Sequence, residues 1–303
     1  MIAERPAEAM ALVVRAYAKL NLTLEVLGRR PDGYHEITSV LQTVSLADVL
    51  SFTPASTLSL RCSDPALASE DNLALRTAQL LRETTGCTRG AEITLEKHIP
   101  TASGLGGGSA DAAATLWALD QLWDLRLPAA QLSALAAGLG SDVPFFLQGG
   151  TALAEGRGER VTQLPQAPDA WFLVARPPLE IPNKTATLYG MLRQRHWTKG
   201  KATKQLVKAL MRGEAIREAY LYNTFDAVAP SAYPAIGRWR RLLLEAAPSR
   251  PHLTGAGPAL YIQVESSEQG REVAGRLPQG EAEIHVVHTV PKARDVLTDA
   301  ATS

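Results

Sequence analysis

The stretch Pro100-Thr101-Ala102-Ser103-Gly104-Leu105-Gly106-Gly107-Gly108-Ser109-Ala110-Asp111-Ala112-Ala113-Ala114 has four glycines within five residues, directly before an alanine-rich run. Residues 91–97 alternate apolar and polar side chains, which predicts a strand, and the alanine-rich run predicts a helix over residues 109–125. Glycine lets the backbone approach a ligand closely, and the first N–H groups of a helix are unpaired at its positive end. The stretch therefore predicts a polyphosphate-binding loop formed by residues 100–110.

Two common phosphate-binding loops do not match this stretch. A Walker A loop has the form GxxxxGK[ST], and no lysine follows these glycines. A dinucleotide fingerprint GxGxxG that begins at Gly104 would need glycine at position 109, where Ser109 stands. A P-loop nucleotidase and an NAD-dependent oxidoreductase are both disfavoured.

Length and composition set the broad class of the protein. The 303 residues exceed one average domain of ~150 residues, which predicts two domains. Lys and Arg together equal Asp and Glu in number, so the formal net charge is zero and we expect no nucleic-acid or membrane partner. The two cysteines, Cys62 and Cys87, form no CxxC pair, which disfavours a disulfide scaffold and a cysteine zinc site. No signal peptide or apolar run of ~18 residues is evident, so we expect a cytoplasmic protein.

The pattern of elements predicts an α+β fold. Predicted helices cover residues 71–82, 109–125 and a segment that opens at Pro128, and helices predominate from residue 186 to the last strands. Predicted strands cover residues 11–27, 40–52, 57–61, 91–97, 149–155, 171–176, 259–264 and 283–290. Because strands and helices do not alternate strictly, a doubly wound sheet is disfavoured. Residues 164–168 are rich in Pro and Gln and predict a linker between domains at residues 1–165 and 166–303.

Several motifs together resemble a known kinase family. The pattern Pro-x3-Gly-Leu-Gly-Gly-Gly-Ser-x-Asp-Ala-Ala resembles the phosphate loop of the galactokinase, homoserine kinase, mevalonate kinase and phosphomevalonate kinase superfamily. Residues 16–22 (AYAKLNL), 30–35 (RPDGYH) and 140–146 (GSDVPFF) resemble the 4-diphosphocytidyl-2-C-methylerythritol kinase family. Residues 253–259 (LTGAGPA) resemble the superfamily's third glycine motif. The motifs occur in the expected order and span most of the chain.

The resemblance implies a two-domain small-molecule kinase fold with the active site in the cleft between the domains. It implies transfer of the γ-phosphoryl of ATP to the 2-hydroxyl of 4-diphosphocytidyl-2-C-methylerythritol, in non-mevalonate isoprenoid biosynthesis. We expect Mg²⁺ to accompany ATP, because phosphoryl transfer commonly uses it. The sequence assigns no metal ligand, although Ser109 and Asp111 lie near the loop. A monomer or weak homodimer is expected.

Two residues are the predicted catalytic pair. A carboxylate can orient or deprotonate an attacking hydroxyl, and the resemblance assigns this role to Asp142; a simple helix-capping aspartate is the alternative. Lys19 lies in an apolar strand, where burial of an amine is costly. Beside Asp142 it would lower the carboxyl pKa and stabilise phosphoryl charge; the alternative is a lysine that points to water. The resemblance makes Lys19 the partner of Asp142, and Asn21 a hydrogen-bonding residue on the substrate side.

Aromatic and polar residues are the predicted cytidyl site. The resemblance implies that Tyr34 stacks on cytosine and that His35 binds the polar edge of the base, although both could be ordinary surface residues. A pyrimidine offers a π face and a donor–acceptor edge, which suits these residue types. The resemblance also matches Tyr189 to a second stacking aromatic and Thr185 to a hydroxyl before it. Residues 181–185 (IPNKT) depart from the commoner Val-Ser-Thr form.

Two further readings remain open. Another small-alcohol kinase of the superfamily would keep the glycine loop but should lack Tyr34 and His35 as a base-recognition pair. A non-catalytic nucleotide-binding relative should have lost Lys19 or Asp142, and both are present. The six Lys and Arg residues in 193–208 predict a solvated face in this neutral chain rather than a nucleic-acid patch.

Overall fold

The computed structural model describes residues 11–179 and 183–297. Within these ranges the backbone forms twelve strands: β1 (Leu12–Arg29), β2 (His35–Ala55), β3 (Leu58–Cys62), β4 (Gly90–Glu96), β5 (Thr151–Gly156), β6 (Arg160–Gln163), β7 (Trp171–Arg176), β8 (Tyr222–Asn223), β9 (His252–Leu253), β10 (Leu260–Val264), β11 (Glu283–His288) and β12 (Arg294–Leu297).

The same described residues form nine α-helices: α1 (Leu73–Thr85), α2 (Gly107–Leu122), α3 (Ala129–Leu139), α4 (Val143–Phe146), α5 (Lys184–Met191), α6 (Lys201–Met211), α7 (Ala229–Ala232), α8 (Pro234–Ala246) and α9 (Ser267–Arg276). None of the helices in this part of the chain is long and apolar enough to cross a membrane.

The larger sheet is built around two long antiparallel strands. β1 and β2 pair from Leu12 opposite Phe52 to Arg29 opposite His35, and bulges interrupt their register near Asn21. The sheet order is β12-β1-β2-β4-β3, with β5 and β6 continuing from β2 and β8 lying parallel to β1. Bulges bend a strand and redirect its side chains. They occur here where β1 carries its predicted site residues.

Helices pack on the larger sheet through an apolar core. The alanine-rich α2 contacts α1, β1 and β2, because small side chains let a helix lie close to its neighbours. Large buried residues fill the rest of this core, including Phe52, Leu116, Phe145 and Phe146. The core fixes the start of α2, and with it the glycine loop, against the sheet.

The smaller sheet has the order β11-β7-β10-β9 and packs with α8 and α9. A further core joins the two sheets: Leu20 and Leu22 of β1 meet Phe172 of β7 and Tyr261 of β10. Tyr261 is fully buried, and its hydroxyl donates to the carbonyl of Asn21 at 2.8 Å. The smaller sheet therefore supports the strand that carries the predicted catalytic lysine.

Two sheets with helices packed on them confirm the predicted α+β class. The strands β6, β8, β9 and β12 were not predicted, because segments of two to four residues are too short to show a period. α2 begins at Gly107 rather than Ser109, since Gly106 is its N-cap residue.

The division at residue 165 stays a prediction. The last strand β12 returns to pair with β1, so the C-terminal part of the chain contributes to the larger sheet. In the predicted linker, Ala167 is buried, and its N–H donates to the hydroxyl of Thr151 at 2.9 Å.

Candidate active site

A cleft of 1420 Å³ collects the predicted site residues. The lining residues include Lys19 and Asn21 of β1, the turn before β2, most of the glycine loop, the residues before α4 and the first turns of α5. Two predicted loop residues do not line it: Leu105 and Ala110 are buried in the core. The Ala110 N–H is bonded to the carbonyl of Gly106 at 2.9 Å, so it has no spare donor for a ligand.

The glycine loop has the conformation of an anion-binding helix start. Gly104 and Gly106 have φ of +91° and +78°, which side chains rarely adopt. A Cβ on Gly104 would lie 2.1 Å from the Thr254 carbonyl oxygen, and one on Gly106 would lie 2.8 Å from the Phe146 ring. α2 has no side-chain N-cap bond, so its first N–H groups remain available to a ligand at the cleft.

Lys19 and Asp142 form an ion pair at the edge of this cleft. The Lys19 side chain is buried, and its Nζ lies 3.5 Å from Oδ2 of Asp142, whose side chain is 38% exposed. Asp142 is the N-cap residue of α4, but its side chain makes no capping hydrogen bond. The water-facing lysine and the capping aspartate, the two simpler alternatives, therefore do not describe these side chains.

Asn21 holds Lys19 in position from the same strand. Its Oδ1 accepts from Lys19 Nζ at 2.5 Å, and its Nδ2 donates to the Ser39 hydroxyl at 2.8 Å. The Asn21 backbone N–H donates to the Thr254 hydroxyl at 3.2 Å. Both ends of the amide are thus engaged within the protein. Asn21 also lines the cleft, so its predicted hydrogen bond to the substrate stays a prediction.

The predicted base-binding residues lie at the other end of the cleft. The rings of His35 and Tyr189 are stacked with centroids 4.6 Å apart, while the Tyr34 ring is 56% exposed and lies under the Arg157 guanidinium at 4.8 Å. Tyr189 is therefore stacked on His35 within the protein, and its role as the second aromatic that stacks on cytosine stays a prediction. Burial, followed by the charge of Arg29, lowers the His35 pKa. A neutral imidazole presents one donor and one acceptor to a ligand.

An unpredicted charge cluster supports the glycine loop. Lys97 Nζ binds the carboxylates of Asp48 and Asp111, the latter at 2.9 Å. Oδ1 of Asp48 also accepts the N–H groups of His98 and Ile99 at 2.6 and 2.8 Å, which fixes the chain that enters the loop. Burial is the largest cause that raises the Asp111 pKa to about 8; Lys97 opposes it, and Asp48 adds to it.

Two of the three residues of this charge cluster could have been found from the sequence. Lys97 and Asp111 flank the glycine loop, so both were visible beside the decisive motif. Asp48 was not, because only the pairing of β2 with β4 brings it to Lys97.

The third glycine motif meets the first. The Thr254 hydroxyl donates to the Gly104 carbonyl at 3.1 Å, and the Ala259 N–H donates to the Ser103 carbonyl at 3.1 Å. The two loops thus form one wall of the cleft, with Gly255 and Ala256 among the lining residues.

Comparison with known proteins agrees with this arrangement. A 4-diphosphocytidyl-2-C-methyl-D-erythritol kinase from Dehalococcoides mccartyi is 39% identical over 280 residues, which cover 92% of this chain and 98% of the relative. One of the same name from Symbiobacterium thermophilum is 42% identical, covering 91% and 99%. The chain belongs to the 4-diphosphocytidyl-2-C-methyl-D-erythritol kinase family.

Other comparisons agree with this family. Residues 72–150 match the family described as GHMP kinases N terminal domain. A crystal structure of 4-(cytidine 5'-diphospho)-2C-methyl-D-erythritol kinase superposes with a TM-score of 0.79 at 34% identity, covering 92% of this chain and 99% of that one. Homoserine kinase from Cytophaga hutchinsonii, with a TM-score of 0.72 at 18% identity and coverage of 98% and 100%, shares the fold.

The IPNKT stretch at residues 181–185 contains the predicted Thr185. Residues 181 and 182 of the IPNKT stretch lie outside the described residues. Asn183 has φ of +50° before α5, and the predicted Thr185 is exposed at the cleft. Lys184, which sequence reasoning did not single out, donates from Nζ to the carbonyls of Ala102, at 2.5 Å, and Gly257.

Proposed function

We propose that this protein transfers the γ-phosphoryl of ATP to the 2-hydroxyl of 4-diphosphocytidyl-2-C-methyl-D-erythritol, giving the 2-phosphate and ADP. This is a step of non-mevalonate isoprenoid biosynthesis. The observation that carries the proposal is the Lys19–Asp142 ion pair beside the glycine loop, in the cleft that also contains Tyr34 and His35. The cytidyl part of the substrate is taken from the names of relatives that the chain matches over almost their whole length.

Asp142 orients the 2-hydroxyl and accepts its proton. Its carboxylate is partly exposed to the cleft and does not cap α4, so a substrate hydroxyl can reach it. Lys19 stabilises the negative charge of the phosphoryl group during transfer. Asn21 keeps the Lys19 ammonium near Asp142 through the 2.5 Å hydrogen bond. Asp142 thus takes the proton of the substrate hydroxyl, while Lys19 stabilises charge and Asn21 keeps Lys19 in place.

The glycine loop holds the ATP phosphates through backbone N–H groups. Gly107, Gly108 and Ser109 open α2 and line the cleft, so unpaired N–H groups and the helix dipole face bound anions. At the other end, Tyr34 stacks on cytosine and neutral His35 binds its polar edge. Tyr189, whose ring stacks on His35 and lines the cleft, is the second stacking aromatic of this site, and Thr185 offers a hydroxyl to the substrate.

Magnesium would be brought with ATP. The described residues contain no group of three or more His, Cys, Asp or Glu side chains that could hold a metal ion by themselves. Mg²⁺ takes oxygen ligands and commonly uses one or two carboxylates together with substrate phosphates. The Ser109 hydroxyl and the Asp111 carboxyl, whose Oδ1 is buried without a hydrogen-bond partner, supply such oxygens near the start of α2, so the donor set fits. A bound cation would favour the ionised form of Asp111. When bound, the ion neutralises charge on the phosphates.

The same reasoning covers partners and location. We infer that the substrates are small molecules, with neither nucleic acid nor membrane as a partner, because the chain has no net charge. Cys62 and Cys87 are both unpaired, in line with a reducing cytoplasm. A monomer or weak homodimer remains our expectation for the assembly.

A coupled ADP-release assay tests the proposal. Wild type is mixed with ATP and Mg²⁺ and with the cytidyl substrate, mevalonate or homoserine in turn, with Asp142→Asn as the inactive control. We expect rapid ADP release with the cytidyl substrate alone. Preference for another alcohol would identify a different small-alcohol kinase, and no release with any alcohol would indicate a non-catalytic nucleotide-binding protein.

A further inference from the structure

Lys184 joins the two glycine loops from inside the cleft. It is the first residue of α5 and follows Asn183, whose positive φ turns the chain at this point. Its Nζ donates to the carbonyl of Ala102 in the first glycine loop and to that of Gly257 in the third glycine motif. An ammonium carries three donors, so these two contacts leave one N–H for a ligand.

The surroundings of Lys184 favour an anion. Burial, followed by the charges of Lys19 and Arg176, lowers the Lys184 pKa to about 8. Lys19 is paired with Asp142 and Arg176 with Glu283, whereas both described contacts of Lys184 are neutral carbonyls. Neighbouring cations repel one another more strongly where they are partly buried, and a bound anion relieves that repulsion.

We propose that Lys184 is a further phosphate-binding residue of this enzyme, whose ammonium donates to a phosphate oxygen of a bound substrate. The inference rests on the proposed function, because it takes the ligand to be a nucleoside polyphosphate. The loop carbonyls hold the ammonium beside the start of α2, where the phosphates would bind. A charged hydrogen bond to phosphate is among the stronger polar contacts in proteins.

Two phosphate groups offer this chemistry. One is the terminal phosphate of ATP, and the other is the diphosphate of the cytidyl substrate. Both are anions that could reach a cleft containing Lys19, Asp142 and the glycine loop. Binding of each ligand alone distinguishes the two sources.

The experiment measures equilibrium binding by titration calorimetry. A non-hydrolysable ATP analogue, ADP and the cytidyl substrate are each titrated into wild type, Lys184→Met, Lys184→Arg and Lys204→Met. Lys204 is an exposed lysine of α6 outside the cleft lining, so its variant controls for loss of one positive charge. Thermal unfolding of every variant shows whether the two glycine loops still pack.

We expect Lys184→Met to weaken the binding of one ligand by about 10- to 150-fold, the effect of losing a hydrogen bond to a charged group. Selective loss of the ATP analogue over ADP assigns the terminal phosphate, and selective loss of the cytidyl ligand assigns its diphosphate. Unchanged binding of all three ligands would overturn the proposal. A wild type that binds these ligands but transfers no phosphoryl group would instead refute the proposed function.

The pH dependence of ligand affinity distinguishes a ligand-binding role of Lys184 from a purely structural role in holding the two loops together. Raising the pH through about 8 removes the Lys184 proton in the free enzyme, so wild-type affinity for the affected ligand should fall. Lys184→Arg keeps its charge, so at pH 9 it should have lost less of that affinity than wild type. Asp111, whose pKa is also raised to about 8, titrates in both proteins and does not account for a difference between them. The other charged groups near this part of the cleft are shared by the variants and include Lys19, Lys97, Arg176, Asp111 and Asp142. Equal losses of ligand affinity in Lys184→Arg and Lys184→Met, together with lowered unfolding temperatures, would show that Lys184 only stabilises the packing of the two loops. That result would overturn the proposal.

Discussion

Replacement of Gly108 by alanine should separate nucleotide binding from folding. Gly108 is the second residue of α2, its φ is not positive, and a Cβ placed there meets no atom within 4 Å. Neither its backbone conformation nor its packing therefore requires glycine. Because Gly108 lines the cleft, the open space beside it suits a phosphate that approaches the backbone.

The expected effects have opposite signs. Alanine is favoured over glycine by up to ~1 kcal/mol inside a helix, so Gly108→Ala should unfold at the same free energy as wild type or slightly higher. A methyl group beside the first N–H groups should displace a phosphate from at least one charge-assisted hydrogen bond. Such bonds contribute ~1.5–3 kcal/mol, which corresponds to about 10- to 150-fold in affinity for ATP.

Urea unfolding and calorimetric titration with a non-hydrolysable ATP analogue measure the two effects. Gly275→Ala is the matched control, since Gly275 is also helical with nothing within 4 Å but lies outside the cleft lining. Gly106→Ala gives the contrasting case, because its φ of +78° and the Phe146 ring at 2.8 Å should destabilise the fold itself. ATP affinity within twofold of wild type in Gly108→Ala would refute the assignment of this loop to phosphate.

Three other predictions concern the remaining parts of the site. Asp142→Asn should lower turnover by ~10²–10⁴-fold while both substrates still bind, and Lys19→Met should also slow it. Because the two act as a unit, the double variant should lose less than the product of the single losses; full multiplicativity in steady-state kinetics would show that they act independently. Tyr34→Ala should weaken the cytidyl substrate by roughly 5- to 150-fold, because base stacking contributes ~1–3 kcal/mol. ATP affinity should stay unchanged, and equal weakening of both ligands in titrations would contradict base recognition. Asp111 has a raised pKa, so the folded state binds its proton more tightly than the unfolded chain, in which the carboxyl has its ordinary pKa of 3.8. Its contribution to stability is therefore full below pH 3.8 and is lost as pH rises toward about 8. The free energy of unfolding of wild type should fall relative to Asp111→Asn by at most ~1.4 kcal/mol per pH unit in that window. Parallel pH profiles in urea melts would show that Asp111 is not the titrating group.

Local patterns predicted most of the fold and the centre of the site. The alternation in β1, the glycines of the loop and the alanines of α2 are each visible in a short window of sequence. The resemblance to the kinase family then supplied the pairing of Lys19 with Asp142. Their charged atoms are 3.5 Å apart, although the two residues are far apart in the chain.

Features that depend on distant contacts could not be read from the sequence. The contact of Asp48 with Lys97 requires β2 to pair with β4, and the contact of Lys184 with Ala102 and Gly257 requires two loops and a helix to meet. The stacking of Tyr189 on His35 is also a tertiary result, which no periodicity indicates. Such contacts depend on the packing of whole elements rather than on local propensity.

The most direct test of the central claim is the position of the transferred phosphate. Wild type is incubated with ATP, Mg²⁺ and the cytidyl substrate, and the product is followed by ³¹P NMR together with ADP release. We predict one new phosphomonoester signal in equal amount to ADP and beside an intact diphosphate. Because the methyl-bearing C2 carries no hydrogen, this signal should show no three-bond coupling to a proton, whereas a phosphate on another hydroxyl would show it. The Asp142→Asn variant should form it far more slowly. ADP formed without that signal, or phosphate on another hydroxyl, would contradict the account.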